Sequence, residues 1–350
     1  MIRFLAILFL ATSPCWGAQL SQGHDPILAN VGGEIHAIGS AGRSQPLLDI
    51  YGASAFPSCL TYDPSTDQIY AVHVRNFWTR FTLTRIDPVT WQTQEIGDFA
   101  DDISMVACHP VTGQMYGGNI YGGSWYLINK ADASLTWLTT LGRNSGWSGL
   151  AFNPVDGELY ATQDVAGGFW DSHYYRVAVD GTQVWHIESY QSLRGISFHP
   201  LGGLYGVDFN SQNPKPYAYS RVSQVGPVHY PLARFDSLGD TAILPAQPQI
   251  SISPAQPVGG QTVTIEMTRG RAEADTWIAA SLQGTGFTYI PALGILMQLQ
   301  SPYVFAGPFL SDLTGGESVV ANVPQMTGAT MWLQAVQYRN FSNVASFVIQ

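Results

Sequence analysis

The chain has 350 residues, of which 45% are hydrophobic and only 11% charged, and its 25 acids outnumber 15 Lys and Arg to leave a net charge of −10. Such an acidic chain, with no basic run, is excluded as an electrostatic binder of nucleic-acid phosphates or anionic lipid. Scarce charges beside plentiful Gly, Thr, Ser, Asn and aromatics suit an exported all-β protein with polar, uncharged loops.

Residues 1–18 read as a secretory signal peptide. Arg3 supplies the basic start, Phe4 to Ala11 the apolar core, and Trp16-Gly17-Ala18 the small-residue end. That core is too short to cross a bilayer, which takes about 20 apolar residues, so no membrane span is expected. Pro14 before Cys15 does not suit a lipobox. Processing leaves 14 basic and 25 acidic residues, a charge of −11, and a secreted protein, extracellular or periplasmic.

ILANV (27–31), EIHAI (34–38) and PLLDIY (46–51) then read as three strands joined by tight turns. After them one phrase recurs four times: LTYDPSTDQIYAV from Leu60, VACHPVTGQMYGG from Val106, LAFNPVDGELYAT from Leu150 and ISFHPLGGLYGV from Ile196. The prolines Pro64, Pro110, Pro154 and Pro200 are 46, 44 and 46 residues apart. A period in the forties built from apolar runs and tight turns is the signature of a β-propeller or similar array. Within one copy LAFNP is a strand, Asp156-Gly157 a tight turn, ELYAT a second strand and QDVAGGFWDSH a longer loop. YYRVAV, the Asp180-Gly181 turn and TQVWHIE follow. These four strands are called A to D.

The N-terminal segment EIHAIGSAGRSQPLLDIYG lines up with WYLINKADASLTWLTTLG of the second copy, so residues 27–51 supply strands B, C and D without an A. TAILP (241–245) sits where another strand A belongs. The expectation is an all-β, five-bladed propeller whose fifth blade joins both ends, which leaves no exposed edge. The P-x-x-G-x-[LM]-Y core at Pro110–Tyr116 and Pro154–Tyr160 resembles bacterial exported β-propellers with YVTN-, NHL- or quinoprotein-like repeats over residues 24–245. That resemblance implies a fold and no particular ligand. The tryptophan docking motif of the quinone enzymes is absent, so no quinone is implied.

Beyond the proline-rich joint LPAQPQ (244–249), six or seven short strands separated by Gly-rich turns suggest a small immunoglobulin-like β-sandwich. Its start and its ending MWLQAVQYRNFSNVASFVI resemble C-terminal sandwich modules of many secreted bacterial proteins. The expected division is therefore a signal peptide over 1–18, a propeller over 19–245 and a sandwich over 246–350.

The A–B and C–D turns are uniformly short, whereas the B–C loops, roughly 74–80, 120–124, 164–173 and 209–216, differ from one another. A face that diversifies beside one that stays tight is the expected binding face. Trp78 and Trp170 fall there, and Trp125 and Trp147 read as packing. The third residue after each strand-B tyrosine is His73, Asn119, Gln163 or Asp208, and Asp101, Asp102, Asp164, Asp171 and His173 are nearby. Flat aromatic faces beside amides and carboxylates suit a sugar, so an extracellular glycan is the expected ligand, with a protein ligand the broader case. The alternative is a glycan-directed hydrolase or lyase using Asp102, Asp164, Asp171 and Asp208 at the channel mouth. No catalytic triad, H-E-x-x-H or C-x-x-C motif occurs, so no catalytic residue, metal ligand or cofactor is assigned; calcium is the cation this oxygen-rich set suits best. Asp63, His109, Asn153 and His199, each before a repeat proline, read as turn caps. Cys59 and Cys108 stand five and two residues before their prolines. That offset of three residues, roughly 10 Å along a strand, weighs against a disulfide.

Overall fold

The structure is a computed structural model that describes residues 22–31, 34–38, 44–50, 56–75, 79–119, 123–141, 147–164, 172–182, 184–190, 193–198, 204–210, 219–224, 230–235, 238–337 and 339–350. Among them every regular element is a β-strand, and internal contacts divide them into two units, residues 27–245 and residues 246–350 with the segment ending at Pro26.

The first strand, β1 (Gln22–His24), is followed by β2 (Ile27–Val31), β3 (Glu34–Ile38) and β4 (Ser44–Asp49). Four sets of four come next. They are β5 (Phe56–Asp63), β6 (Gln68–Arg75), β7 (Arg80–Ile86) and β8 (Thr93–Asp98), then β9 (Ile103–Cys108), β10 (Met115–Asn119), β11 (Ser124–Ile128) and β12 (Leu135–Thr140). The third set is β13 (Trp147–Phe152), β14 (Leu159–Asp164), β15 (Ser172–Val177) and β16 (Val184–Tyr190). The fourth is β17 (Leu193–Phe198), β18 (Leu204–Asn210), β19 (Tyr219–Gln224) and β20 (Tyr230–Phe235), after which comes β21 (Leu238–Ile243). Each set is one antiparallel meander, and a further four-stranded sheet has the order β21-β2-β3-β4, with Ile27 opposite Ile243. The first strands of the sheets are neighbours in a closed cycle: β5 beside β9, then β13, β17, β21 and β5 again.

Packing between sheets follows the repeat. In β6, Tyr70, Val72 and Val74 point to one face and share a core with Val106 and Cys108 of β9 and Met115 of β10. The period-2 alternation of a strand makes this possible, since residues two apart line one face. The strand-B tyrosines Tyr116 and Tyr160 lie 5.7 and 5.2 Å from Phe152 and Phe198, the last residues of the next sheet's first strand. Trp125 and Trp147 are buried, as their packing role requires. The Trp125 indole donates to Val179 O of the next sheet at 3.2 Å, and Trp147 stacks at 5.3 Å on Tyr175.

The other unit contains β22 (Gln249–Ser253), β23 (Thr262–Thr268), β24 (Ala272–Ser281), β25 (Thr285–Ile290), β26 (Ile295–Leu299), β27 (Tyr303–Leu310), β28 (Glu317–Asn322), β29 (Thr330–Gln337), β30 (Asn340–Phe341) and β31 (Ala345–Val348). The sheet β22-β23-β28 shares one core with β24, β29 and β31, built on Ile265, Ile278, Leu333 and Phe347. Alternation sends Trp277 and Ala279 of β24 to the opposite face, where the hairpin β25–β26 covers them with Ile295, Met297 and Leu299. The central sheet is thus covered on both faces, which two-layer reasoning from strand number does not anticipate. Residues 22–26 were expected with the repeats, but β1 pairs with β24 through Gln22–Ala274 and His24–Ala272 and belongs to this unit.

Leu28 is fully buried in β2, between the closing strand β21 and β3. Leu28→Ala should lower unfolding stability by about 2–5 kcal/mol. Urea denaturation of the 27–245 unit measures this, and a loss below about 1 kcal/mol would mean that the closing sheet is loosely packed.

Candidate functional site

At the end of the sheets that carries the B–C loops, His73, Asn119, Gln163 and Asp208 occupy one register position. They lie opposite Pro57, Ile103, Trp147 and Leu193 respectively. A register shift follows each of these pairs, and the fifth sheet repeats it between Ala29 and Val31. A bulge bends a strand and re-aims its side chains, so five recurrences at one place bend every first strand alike.

Of these residues His73, Asn119 and Gln163 are buried. His73 Nδ1 lies 3.3 Å from the Thr84 hydroxyl. Asn119 Nδ2 donates to Asp101 Oδ1 at 3.0 Å, and the Tyr126 hydroxyl donates to the other oxygen of that carboxylate. The physical reason is the strand pitch: three residues after a tyrosine the side chain points into the stack of sheets rather than out of the loop. Asp102 is half-buried beside Asp101, whose carboxylate accepts from its backbone amide at 2.8 Å. Asp164 and His173 were expected in a loop over 164–173. They are strand residues instead, because pairing continues through Gln163–His173 and Asp164–Ser172. Asp208 is likewise within a strand, between Leu193 and Arg221. Side chains of Asp164, His173 and Asp208, and all of Trp78, Trp170 and Asp171, lie outside the described residues.

Burial, together with the Arg75 guanidinium, pushes the His73 imidazole down from 6.5 to about 4. In the unfolded chain the ring takes up a proton below about 6.5. The native ring resists until about 4, so its contribution to stability is complete above 6.5 and is lost as pH falls through that interval. The loss is at most about 3 kcal/mol. Denaturation of the protein and of His73→Gln at several pH values should show a flatter acid limb for the variant, and parallel limbs would refute the assignment.

At the opposite end the chain turns tightly. Proline cannot donate to the ladder, so β5, β9 and β13 stop at or just before the residue preceding it, and that residue's side chain folds over the turn. Asp63 Oδ1 accepts from Ser65 N at 3.0 Å, and Asn153 Oδ1 from Val155 N at 3.0 Å. His109 Nδ1 accepts from Val111 N and Thr112 N at 3.1 and 3.2 Å, which puts its proton on Nε2. These bonds match the capping reading; His199 lies outside the described residues. Asp63 also accepts from Lys130, which stands in the C–D turn of the next sheet with its ammonium 5.7 Å from the Tyr70 ring centroid. Burial works to raise the Asp63 carboxyl, but the bonds from Lys130, Thr66 and Ser65 outweigh it and hold it below the usual carboxylate value. Gly113 has φ +65°, and a Cβ there would meet Ser65 Oγ at 1.9 Å, so adjacent turns touch.

Inside this end is a cavity of about 340 Å³. All five first strands line it, through the equivalent positions Tyr62, Cys108, Phe152, Phe198 and Ile243, with Leu60, Leu150 and Ile196 behind them. Pro64, Pro110, Pro154 and Pro245 stand at its edge. Pro245 follows Pro200 by 45 residues, a fifth beat of the repeat. No carboxylate, imidazole or amine is among the lining residues described. Cys59 and Cys108 are not joined in a disulfide, and burial pushes the Cys108 thiol up, well away from a reactive thiolate. Among the described residues no three His, Cys, Asp or Glu side chains are grouped to hold a metal ion, and no helix is long and apolar enough to cross a membrane.

No known protein family matches the sequence, and no curated protein matches it. Among solved structures, a chain of a nidogen–laminin complex aligns with TM-score 0.46 and 11% identity over 85% of this chain and 99% of that one. The periplasmic gluconolactonase of Pseudomonas aeruginosa aligns with TM-score 0.36 and 15% identity over 93% and 96%. An oligogalacturonate lyase in complex with manganese gives 0.35 and 12% over 54% and 57%. Likenesses this distant decide nothing about the ligand, and the architecture rests on the strand pairing and the cyclic order of the first strands.

Proposed function

We propose that the protein is a secreted binding protein, in which a five-bladed β-propeller closed by its fifth, two-ended blade is joined to an immunoglobulin-like β-sandwich. The observation that carries the binding reading is the cavity of about 340 Å³ at the turn end, to which every blade contributes. Its volume falls within the range of small-ligand pockets, and concave apolar sites with a few polar groups are the usual form of such sites. Here the polar groups are the hydroxyls of Thr61, Tyr62 and Ser197. General acid–base catalysis needs a titratable group within hydrogen-bond reach of the substrate. The described lining offers none that changes charge near neutral pH, so it recognises rather than transforms.

N-phenyl-1-naphthylamine, a neutral apolar dye, should bind the protein with enhanced fluorescence. Ile196→Trp, which fills the cavity from a buried position, should abolish the enhancement while circular dichroism stays unchanged. A dye response that ignores the substitution removes this reading.

The glycan reading of the B–C loop face rests on Trp78 and Trp170 with Asp102, Asp164, Asp171, His173 and Asp208, while His73, Asn119 and Gln163 are buried. A glycan array tests it: binding there should fall at least about tenfold in Trp78→Ala and Trp170→Ala, as base stacking losses on aromatic platforms do. The hydrolase alternative needs two of the carboxylates Asp102, Asp164, Asp171 and Asp208 to flank the scissile bond, and turnover of polysaccharides would be its support.

A further inference from the structure

The turn face carries an apolar surface wider than the cavity it surrounds. Val111 and Val155, at matching positions of neighbouring A–B turns, are 81% and 66% exposed, and Val111 also lines the cavity. Val89 and Val179, in C–D turns, are exposed as well. The turns 64–67, 87–92, 109–114, 129–134, 153–158 and 178–182 hold Asp67, Asp87, Asp132, Asp156, Glu158 and Asp180 against a single ammonium, that of Lys130, which is bonded to Asp63. The side chain and amide of Ser134 donate to Asp132, and the amide and side chain of Thr182 to Asp180, so both carboxyls lie below their ordinary value and stay charged.

From this juxtaposition we infer that the turn face docks a basic, hydrophobic polypeptide segment. One apolar side chain of the partner enters the cavity, its neighbours lie on Val111 and Val155, and flanking Lys or Arg residues meet the acidic turns. Charge complementarity selects a cationic partner and suppresses anionic ones. The apolar exposure outside the cavity selects a partner broader than a small molecule, because contiguous apolar surface rimmed by polar residues marks a protein-interaction site. The inference rests on the cavity reading above and adds to it the class of occupant.

The test is fluorescence anisotropy with a labelled dodecapeptide of Leu, Phe and Lys, and with its counterpart in which Glu replaces Lys. The Lys peptide should bind at least about tenfold more tightly, and its affinity should fall between about 50 and about 300 mM salt as screening shortens the reach of the acidic turns. Asp132→Asn with Asp180→Asn keeps an oxygen for each turn amide and removes two charges. This pair should weaken the Lys peptide several-fold and leave dye binding unchanged. Val111→Lys with Val155→Lys, at exposed positions that the fold tolerates, should weaken it as much. Equal affinity for both peptides, or indifference to both pairs of substitutions while the dye still binds, overturns the docking proposal and leaves the cavity reading standing. Absence of dye binding removes both. Self-association in sedimentation that Val111→Lys disperses would assign the face to a second copy of the chain and overturn the proposal too.

Discussion

Each blade of this protein is completed by the next. A twisted four-stranded sheet buries one face only against another sheet, and here the contact is made at a fixed place. An aromatic side chain of a second strand packs on the last residue of the following first strand: Tyr70 near Cys108, Tyr116 on Phe152, Tyr160 on Phe198. Aromatic pairs at such centroid distances contribute beyond their buried area. The turn caps, the Asp63–Lys130 bond between neighbouring turns and the lining of the cavity all lie within a few residues of these contacts. Because the contact recurs around a closed cycle, its geometry also sets the width of the space left on the axis.

Much of this was legible from the repeat. Proline spacing located the first strands and their turns, the residue before each proline announced its cap, and the orphan strands 27–51 together with TAILP announced a sheet drawn from two distant segments. What the repeat concealed was direction. His73, Asn119 and Gln163 are polar, follow a tyrosine and precede a variable loop, which reads as a rim. In the sheets they are buried, and the bulge that accompanies each has no marker in the residue types, since Ser104 and Ser148 serve as well in a regular strand. Uniform turns likewise read as inert. Their uniformity places like side chains at like positions around one axis, and that converts a row of turns into a lined cavity. Trp78, Trp170 and Asp171 lie outside the described residues.

The two ends of the sheets therefore differ in chemistry as well as in length of connection. Polar groups at the loop end are spent on each other, with the Asp101 carboxylate held by Asn119 and Tyr126 and the His73 imidazole kept neutral by burial. At the turn end, backbone amides satisfy the capping side chains, and this leaves apolar side chains to face the axis and carboxylates to face solvent. An apolar opening inside a negative rim is a consequence of building turns from Asp, Asn, Gly and Pro on strands that finish in Phe, Tyr and Ile.

The sheet made of β21 with β2, β3 and β4 also gives the molecule a schedule. Ile27 meets its partner Ile243 only after more than 200 further residues have been made. Until then β2 presents an open edge, the kind of surface that templates pairing with other chains. A chain made amino end first has four meanders complete before the strand that closes the circle follows. That waiting edge is a stretch as short as ILANV, and the time it stays open is set by chain length rather than by the speed of any single meander.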